Sequence, residues 1–506
     1  MGRIYGQSLA LLTDLYQLTM AQGYWKLGRT GEEAVFHLFF REHPFRGGYT
    51  VACGLGYVVE FLADLRFDES DVAYLAGLTG SDGKALLEPA FLEALRGLQW
   101  SVDVDAVEEG TVVFPHQPLL RVRGPILQCQ LLETPLLNMV NFQTLIATKA
   151  ARICESARGE PVLEFGLRRA QGVDGALAAS RAAFAGGCAA TSNVLAGKLF
   201  GIPVKGTHAH SWVMSFDTER EAFDAYARAM GNNCVFLVDT YDTLEGVRAA
   251  IEVGRDLRER GLEMIGVRLD SGDLAYLSIE ARRLLDEAGF EKAAIVASND
   301  LDEHIIRDLK EQGAAIGVWG VGTRLATGHD QPALGGVYKL SAVRTPPGQW
   351  QYRIKLSEQT IKVNTPGTLQ VRRFREGGRF VADMTYEEGL GPPVGAAVIV
   401  DPVDPTRRKS VAAGAPFEDL LVPVFRGGRR VYDPPPLEAV RRRTGEQLAA
   451  LHPGVRRLLN PHEYPAGLAE NLHELKTELI LAARRRYRPA ADTEREGHRE
   501  APPCTP

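Results

Sequence analysis

The hydrophobic rhythm of the chain changes twice, and the changes divide it into three stretches. Residues 14–27 carry apolar side chains at helical spacing, with Leu15, Leu18 and Gln22 on one side and Tyr16, Met20 and Tyr24 on another. Thr13 or Asp14 is placed to cap the start of this helix and Gly28 its end. Ala34 to Phe40 reads as a strand and Tyr49 to Ala52 as a shorter one. Val102 to Val107 alternates as a half-buried strand does. Thr134-Pro135 then precedes a long helical pattern from Leu136 to Ser156, so residues 1–135 read as an α+β domain.

The middle of the chain, 136–345, has a different beat. Short apolar runs recur at 162–165, 203–206, 235–238, 264–267, 294–297 and 316–319, each followed by polar or small residues and a helical stretch. Strands that alternate with helices imply βαβ units and a parallel sheet. Six units in succession suit a closed or nearly closed barrel better than an open sheet. After residue 345 the beat stops. Pro346-Pro347-Gly348 and Thr365-Pro366-Gly367 mark turns, Tyr352 to Leu356 and Leu369 to Phe374 read as strands, and 434–485 is helical again. The expected C-terminal domain is 346–486, and 487–506, Pro-rich and charged without an apolar period, is expected to be a disordered tail.

Composition narrows the function class. The 506 residues are 45% hydrophobic and 24% charged, with a formal net charge of -6. These are ordinary globular values. The mild acidity argues against a nucleic-acid or anionic-membrane binder, whose footprint is basic. No apolar run approaches the roughly 20 residues needed to span a bilayer. Met1 to Ala10 lacks the pattern of a secretory signal, and Gly6 stands where a myristoylation signal needs Ser or Thr. Cys53, Cys129, Cys154, Cys188, Cys234 and Cys504 form no C-x-x-C pair, which argues against a zinc cluster or a disulfide framework. A cytoplasmic enzyme is the expectation.

The chemistry gathers where the middle strands end. Arg168-Arg169, then Thr207-His208-Ala209-His210-Ser211, then Asp239-Thr240-Tyr241-Asp242 follow the first three. Arg268 to Asp273, Ser298-Asn299-Asp300 and Gly320-Val321-Gly322-Thr323 close the next three. In barrel enzymes the active site is built from just these strand ends. A single polar cluster is most often a loop or a helix cap; six in succession are not readily explained so. Guanidinium groups suit carboxylate and phosphate ligands. The glycines before Thr323 let backbone N–H groups approach a phosphate at a helix start. Asp270 and Asp273 are candidates for ribose hydroxyls or a magnesium ion, with a helix cap as the plain alternative for Asp273. His208 and His210, two apart, face the same way if the segment is extended; a third metal ligand at helix or strand spacing is missing, and their place at a strand end beside Gly206 and Thr207 favours a catalytic or nucleophilic role. Gly54-Leu55-Gly56 lacks the third glycine of a dinucleotide fingerprint.

Several long motifs, in order from about residue 10 to about 345, resemble the nicotinate phosphoribosyltransferase family. They are Leu12-Thr13-Asp14-Leu15-Tyr16-Gln17-Leu18-Thr19-Met20, Glu164 to Gly172, Ser192 to Gly197, Val267 to Asp273 and Gly335 to Leu340. The resemblance implies an irregular (β/α) barrel packed on an N-terminal α+β sandwich-like domain, with a smaller C-terminal domain and a homodimer whose sites lie at the subunit interface. It implies transfer of phosphoribosyl from 5-phosphoribosyl 1-diphosphate to nicotinate, with magnesium, driven by ATP through a phosphohistidine. By the same resemblance Tyr16 stacks on the pyridine ring from the neighbouring subunit, and Arg268 and Thr207 contact nicotinate. Arg168 serves the phosphates or the ring, Gly322 and Thr323 hold the sugar phosphate, and Ser271 binds substrate beside Asp270 near the ribose. His210 matches the phosphorylated histidine, and His208 fills a slot where an apolar residue is expected. The magnesium ligands stay unassigned. The alternatives are a nicotinamide or quinolinate enzyme on the same barrel, a catalytically silent nucleotide-binding barrel and a metal-dependent aldolase; the last lacks a His/Asp/Glu ligand set.

Overall fold

The computed structural model describes residues 9–357, 359 and 362–486. The N-terminal targeting readings fall mainly on residues 1–8, and the tail reading on 487–506; both stretches lie outside the described residues. No helix among the described residues is long and apolar enough to cross a membrane.

The middle segment forms a six-stranded sheet in the order Ala190–Thr191, Val162–Glu164, Val318–Val321, Ala294–Ala297, Gly266–Leu269, Val235–Leu237. Every pairing is parallel. A parallel bridge from Thr191 adds Val204 beyond Ala190. Neighbours around this ring are therefore consecutive in the chain, and the last strand returns to pair with the first. The ring is an irregular barrel with one seam, between Val204 and Val235. Side chains cross that seam: Thr207 Oγ1 donates to the Val235 carbonyl, and the Leu237 N–H donates to His208 Nε2 at 3.3 Å.

Two expected strands lie about two residues later than the apolar runs that signal them, at Gly266–Leu269 and Val318–Val321. Arg268 and Gly320 thus sit within strands. The run at 203–206 forms only the bridge at Val204. Ala190–Thr191, two residues long, carries no period by which to recognise it.

The N-terminal layer is a seven-stranded antiparallel sheet. Its order is Gln351–Tyr352, Val337–Arg344, Glu33–Phe39, Leu120–Pro125, Asp103–Val107, Leu421–Arg426, Arg429–Arg430. Strands from all three stretches of the sequence meet here. The reason is burial: Glu33–Phe39 is buried from Ala34 to Phe39, so both of its ladder edges need partners. Val337–Arg344 supplies one and Leu120–Pro125 the other. The first helix spans Leu15–Lys26; the Asp14 carboxylate does not cap it but accepts from Thr134 Oγ1 at 2.7 Å. The long helix spans Glu133–Ser156, and Pro135 fits its first turn because those N–H groups have no partner inside the helix.

The last stretch builds a six-stranded mixed sheet around Arg379–Glu387 and Leu369–Glu376. The helical reading of 434–485 holds for Leu437–Ala450 and Glu470–Arg486. Between them Pro453, Pro461 and Pro465 end the helix, and the strand Ala466–Ala469 joins the sheet. Buried ion pairs fasten the layers. Glu109 takes Arg181 through two bonds of 2.7 Å, and Arg373 with Asp383 is fully buried beside Gln117 and Gln447.

Candidate functional site

The strand ends face one another across the mouth of the barrel. Glu164, at the end of the first strand, is 1% exposed. Its Oε2 accepts from Ser180 Oγ at 2.8 Å and Thr191 Oγ1 at 2.6 Å, and its Oε1 accepts from the Gly166 N–H. These bonds brace the turn Leu167–Arg169, which presents Arg168 to solvent. A side chain at Gly166 has no room: its Cβ would lie 2.4 Å from Ala326 Cβ and 2.9 Å from the Gly322 carbonyl. So glycine at 166 lets the Arg168 turn lie directly against Gly322–Thr323. Gly322 precedes the one-turn helix Thr323–Ala326, and Arg324 pairs with Asp302, which caps the helix Glu303–Glu311. Backbone N–H groups from 322–324 are therefore available at this corner.

The two histidines part company. A helix starts at His210, so the segment is not extended there. His208 turns into the barrel wall, its ring centroid 4.8 Å from that of Tyr226. Burial pushes its pKa down to about 4 and keeps it neutral, as its acceptor role toward Leu237 requires. His210 stays partly open, 38% exposed in its side chain. Its Nδ1 lies 3.1 Å from Thr240 Oγ1, and its Nε2 lies 3.7 Å from Asp270 Oδ2 and 4.0 Å from Asp239 Oδ1.

Asp239 is the residue whose role sequence reasoning missed. It was visible only as part of a polar cluster after a strand. Its carboxylate is 1% exposed. Oδ2 accepts from the Asp270 N–H and from Ser271 Oγ, both at 2.7 Å, while Oδ1 is buried without a hydrogen-bond partner. Asp270 in turn is held by Ser298 Oγ. Asn299 and Asp300, just beyond, have φ of 99° and 41°, a left-handed turn unusual for residues with a Cβ. Asp273 proves to be the cap of the helix Leu274–Glu287, accepting two N–H groups at 3.1 Å. Among the described residues no group of three or more His, Cys, Asp or Glu side chains is gathered for a metal ion.

Arg268 completes the set. It projects from a barrel strand and has a buried Nε without a hydrogen-bond partner. Burial pushes its pKa below the ordinary arginine value, while Asp270 and Asp239 pull it back up and Arg168 opposes them. A largely buried guanidinium with unspent donors is costly unless an anion arrives. Thr207 has committed its hydroxyl to Val235 and so serves the seam in this structure. Tyr16 stands apart: its helix packs in the N-terminal layer through Gln17, which donates to Glu133 at 3.1 Å, and the Tyr16 residue is 48% exposed. The strand ends thus bring together Arg168, His210, Asp239, Arg268, Asp270, Ser271, Gly322 and Thr323, but not Tyr16.

The chain is similar to known proteins over nearly its whole length. Residues 11–141 match the model of the nicotinate phosphoribosyltransferase N-terminal domain, and residues 370–476 that of the C-terminal domain. The chain is 44% identical over 487 residues to nicotinate phosphoribosyltransferase of Bacillus subtilis, covering 93% of this chain and 97% of that one. It is 38% identical over 527 residues to the human enzyme, covering 93% and 96%. The crystal structure of human nicotinic acid phosphoribosyltransferase superposes with a TM-score of 0.80 at 36% identity, covering 92% of this chain and 99% of that one. An open barrel mouth armed with an imidazole, two carboxylates and an unpaired guanidinium, on a chain so alike over nearly its whole length, belongs to an enzyme of the nicotinate phosphoribosyltransferase family.

Proposed function

We propose that this chain joins nicotinate to the phosphoribosyl group of 5-phosphoribosyl 1-diphosphate, releasing nicotinate mononucleotide and diphosphate, with ATP coupled through phosphorylation of His210. The observation that carries the reading is the largely buried, unpaired guanidinium of Arg268 beside the His210, Asp239 and Asp270 cluster. A carboxylate on the pyridine ring satisfies Arg268, whereas the neutral amide of nicotinamide gives it only a carbonyl oxygen. The substrate's ring nitrogen is itself the nucleophile, so the protein's task is to orient it and to stabilise the charge that develops at the sugar and the leaving group. Gly322 and Thr323 hold the 5-phosphate with backbone N–H groups, and Arg168 stands beside them.

Thr240 orients the His210 ring through Nδ1, and Nε2 faces the two carboxylates of Asp270 and Asp239. A phosphoryl group on His210 lies next to those carboxylates, and three anions at such spacing repel strongly. A cation resolves this. Asp239, with its orphaned Oδ1, and Asp270 fit magnesium, which takes one or two carboxylates and completes its shell with water and substrate phosphates. When bound, magnesium neutralises the charge of the phosphate groups. Tyr16, exposed beside Leu15 and Met20, reaches the pyridine ring of a neighbouring subunit in a homodimer. The setting is the cytoplasm, with small-molecule substrates and neither nucleic acid nor membrane as partner.

The test is a product assay with phosphoribosyl diphosphate and magnesium, offering nicotinate, nicotinamide and quinolinate separately, with and without ATP. Nicotinate mononucleotide from nicotinate, increased by ATP, is expected. Product from another acceptor overturns the role of Arg268. ATP-coupled turnover undiminished in His210→Asn overturns the phosphohistidine.

A further inference from the structure

Asp239 and Asp270 flank His210, yet they are held in different ways. The Asp239 carboxylate is 1% exposed and is kept in place by enclosure, whereas the Asp270 side chain is 33% exposed. The Asp270 backbone is fixed, because it follows the strand Gly266–Leu269 and its N–H donates to Asp239 Oδ2 at 2.7 Å. Its carboxylate still turns about the side-chain bonds, and the outer torsion of an aspartate is broad. The oxygens meet different neighbours. Oδ2 faces His210 Nε2 at 3.7 Å, too far for a hydrogen bond that would hold the group by itself. Oδ1 accepts from Ser298 Oγ.

Ser298 can fix that oxygen because it has little freedom of its own. It follows the strand Ala294–Ala297, is 6% exposed, and its N–H donates to the Leu269 carbonyl at 2.9 Å. A Cβ on Gly320, in the neighbouring strand, would lie 3.4 Å from Ser298 Cβ, so the wall closes on that side as well. The hydroxyl has a second acceptor in the Leu269 carbonyl, but at 3.5 Å this stands at the limit of a hydrogen bond, and a carboxylate is the stronger acceptor. Beyond Ser298 the backbone turns through Asn299 and Asp300, with φ of 99° and 41°. Two successive left-handed residues that carry a Cβ cost free energy, and such turns persist where their surroundings fix them. Here the turn ends the strand at Ser298 and leaves its hydroxyl on Asp270.

We propose that Ser298 is a positioning residue: by occupying Asp270 Oδ1, its hydroxyl holds the carboxylate in the orientation that presents Oδ2 to His210. The role rests on the phosphoribosyl transfer proposed above and adds to it a residue that acts through Asp270. Without the hydroxyl, Oδ1 loses its donor and the part-exposed carboxylate samples several orientations, so the arrangement facing His210 is present for only part of the time. Asp239, enclosed on all sides, needs no such support. The loss falls on turnover and not on nicotinate binding, because Arg268 is left as it was. Outer hydrogen bonds that orient a working carboxylate are worth about 10- to 100-fold.

The experiment compares the unaltered full chain with Ser298→Ala and Ser298→Thr, by steady-state kinetics with nicotinate, phosphoribosyl diphosphate, magnesium and ATP, and by a crystal structure of each. In Ser298→Ala kcat is expected to fall about 10- to 100-fold with KM for nicotinate held, and the Asp270 carboxylate to turn away from His210 while its N–H stays on Asp239. Ser298→Thr keeps the hydroxyl and is expected to restore both the orientation of Asp270 and most of kcat. An unchanged kcat in Ser298→Ala overturns the proposal, as does a fall in kcat with Asp270 still in place. A threonine hydroxyl that reaches Asp270 without restoring kcat overturns it too. An unaltered chain that forms no nicotinate mononucleotide overturns the reaction proposed above instead; the hold on Asp270 is then decided by the crystal structures, and an Asp270 that keeps its orientation in Ser298→Ala overturns it.

Discussion

Replacing Arg268 by methionine separates substrate recognition from stability. The guanidinium is largely buried, its Nε has no hydrogen-bond partner, and burial already disfavours its charged form. Two charge-assisted hydrogen bonds to a carboxylate, lost together with the ion pair they make, cost about 3–5 kcal/mol. At about 1.4 kcal/mol per decade this is a fall of roughly two to three and a half decades in kcat/KM for nicotinate. Nicotinamide has no charge to lose and is expected to change by less than about tenfold. The folded enzyme without substrate gains, because Arg268→Met removes a buried cation whose donors are unspent, so the thermal midpoint is expected to hold or rise. Steady-state assays with both acceptors and a melting curve without ligand check all three statements. A nicotinate loss below tenfold, or an equal loss for both acceptors, refutes the reasoning and moves the carboxylate contact to another cation such as Arg168.

Three further outcomes are expected. His208→Phe loses the acceptor of the Leu237 N–H and costs about 1–3 kcal/mol in urea unfolding, yet still takes labelled phosphate from ATP, whereas His210→Asn takes none at nearly unchanged stability. Gly166→Ala forces a Cβ to within 2.9 Å of the Gly322 carbonyl; about 1–3 kcal/mol of stability is lost, and KM rises for phosphoribosyl diphosphate more than for nicotinate. Glu219 has a buried Oε1 without a hydrogen-bond partner, and burial raises its pKa from 4.5 to about 6. The folded state therefore binds this proton more tightly than the unfolded chain, and stability from this group falls as pH rises from 4.5 through 6. Urea midpoints of Glu219→Gln are expected to gain on the unaltered protein across that window; a constant gap contradicts the burial argument.

The barrel was legible because parallel strands are buried on both faces and so read as unbroken apolar runs, as Ala294–Ala297 does. The C-terminal sheet was legible only in part. Arg408–Val411 is exposed over three of its four residues and has no apolar signature, and Leu369–Glu376 hides charged side chains such as Arg373 among its apolar ones. The second barrel strand in chain order, Ala190–Thr191, is too short to have a period. At the site, residue type revealed His210, Arg268 and Asp270. What it did not reveal was burial: Asp239 differs from any aspartate that follows a strand only in being enclosed with one oxygen unspent. The roles of the two histidines likewise turn on where a helix begins, a matter of one or two residues that pattern alone does not resolve.

The barrel seam also bears on how the enzyme opens. Between Val204 and Val235 the wall is held by a hydroxyl and an imidazole instead of a continuous ladder, and the chain leaving that seam leads straight to His210. Residues 205–210 can detach on their own while the remaining parallel pairings stay intact, so their opening costs far less than global unfolding. Amide hydrogens there are expected to exchange with solvent well ahead of those in Gly266–Leu269 or Ala294–Ala297. A loop held in this way can change its resting position without any strand having to melt.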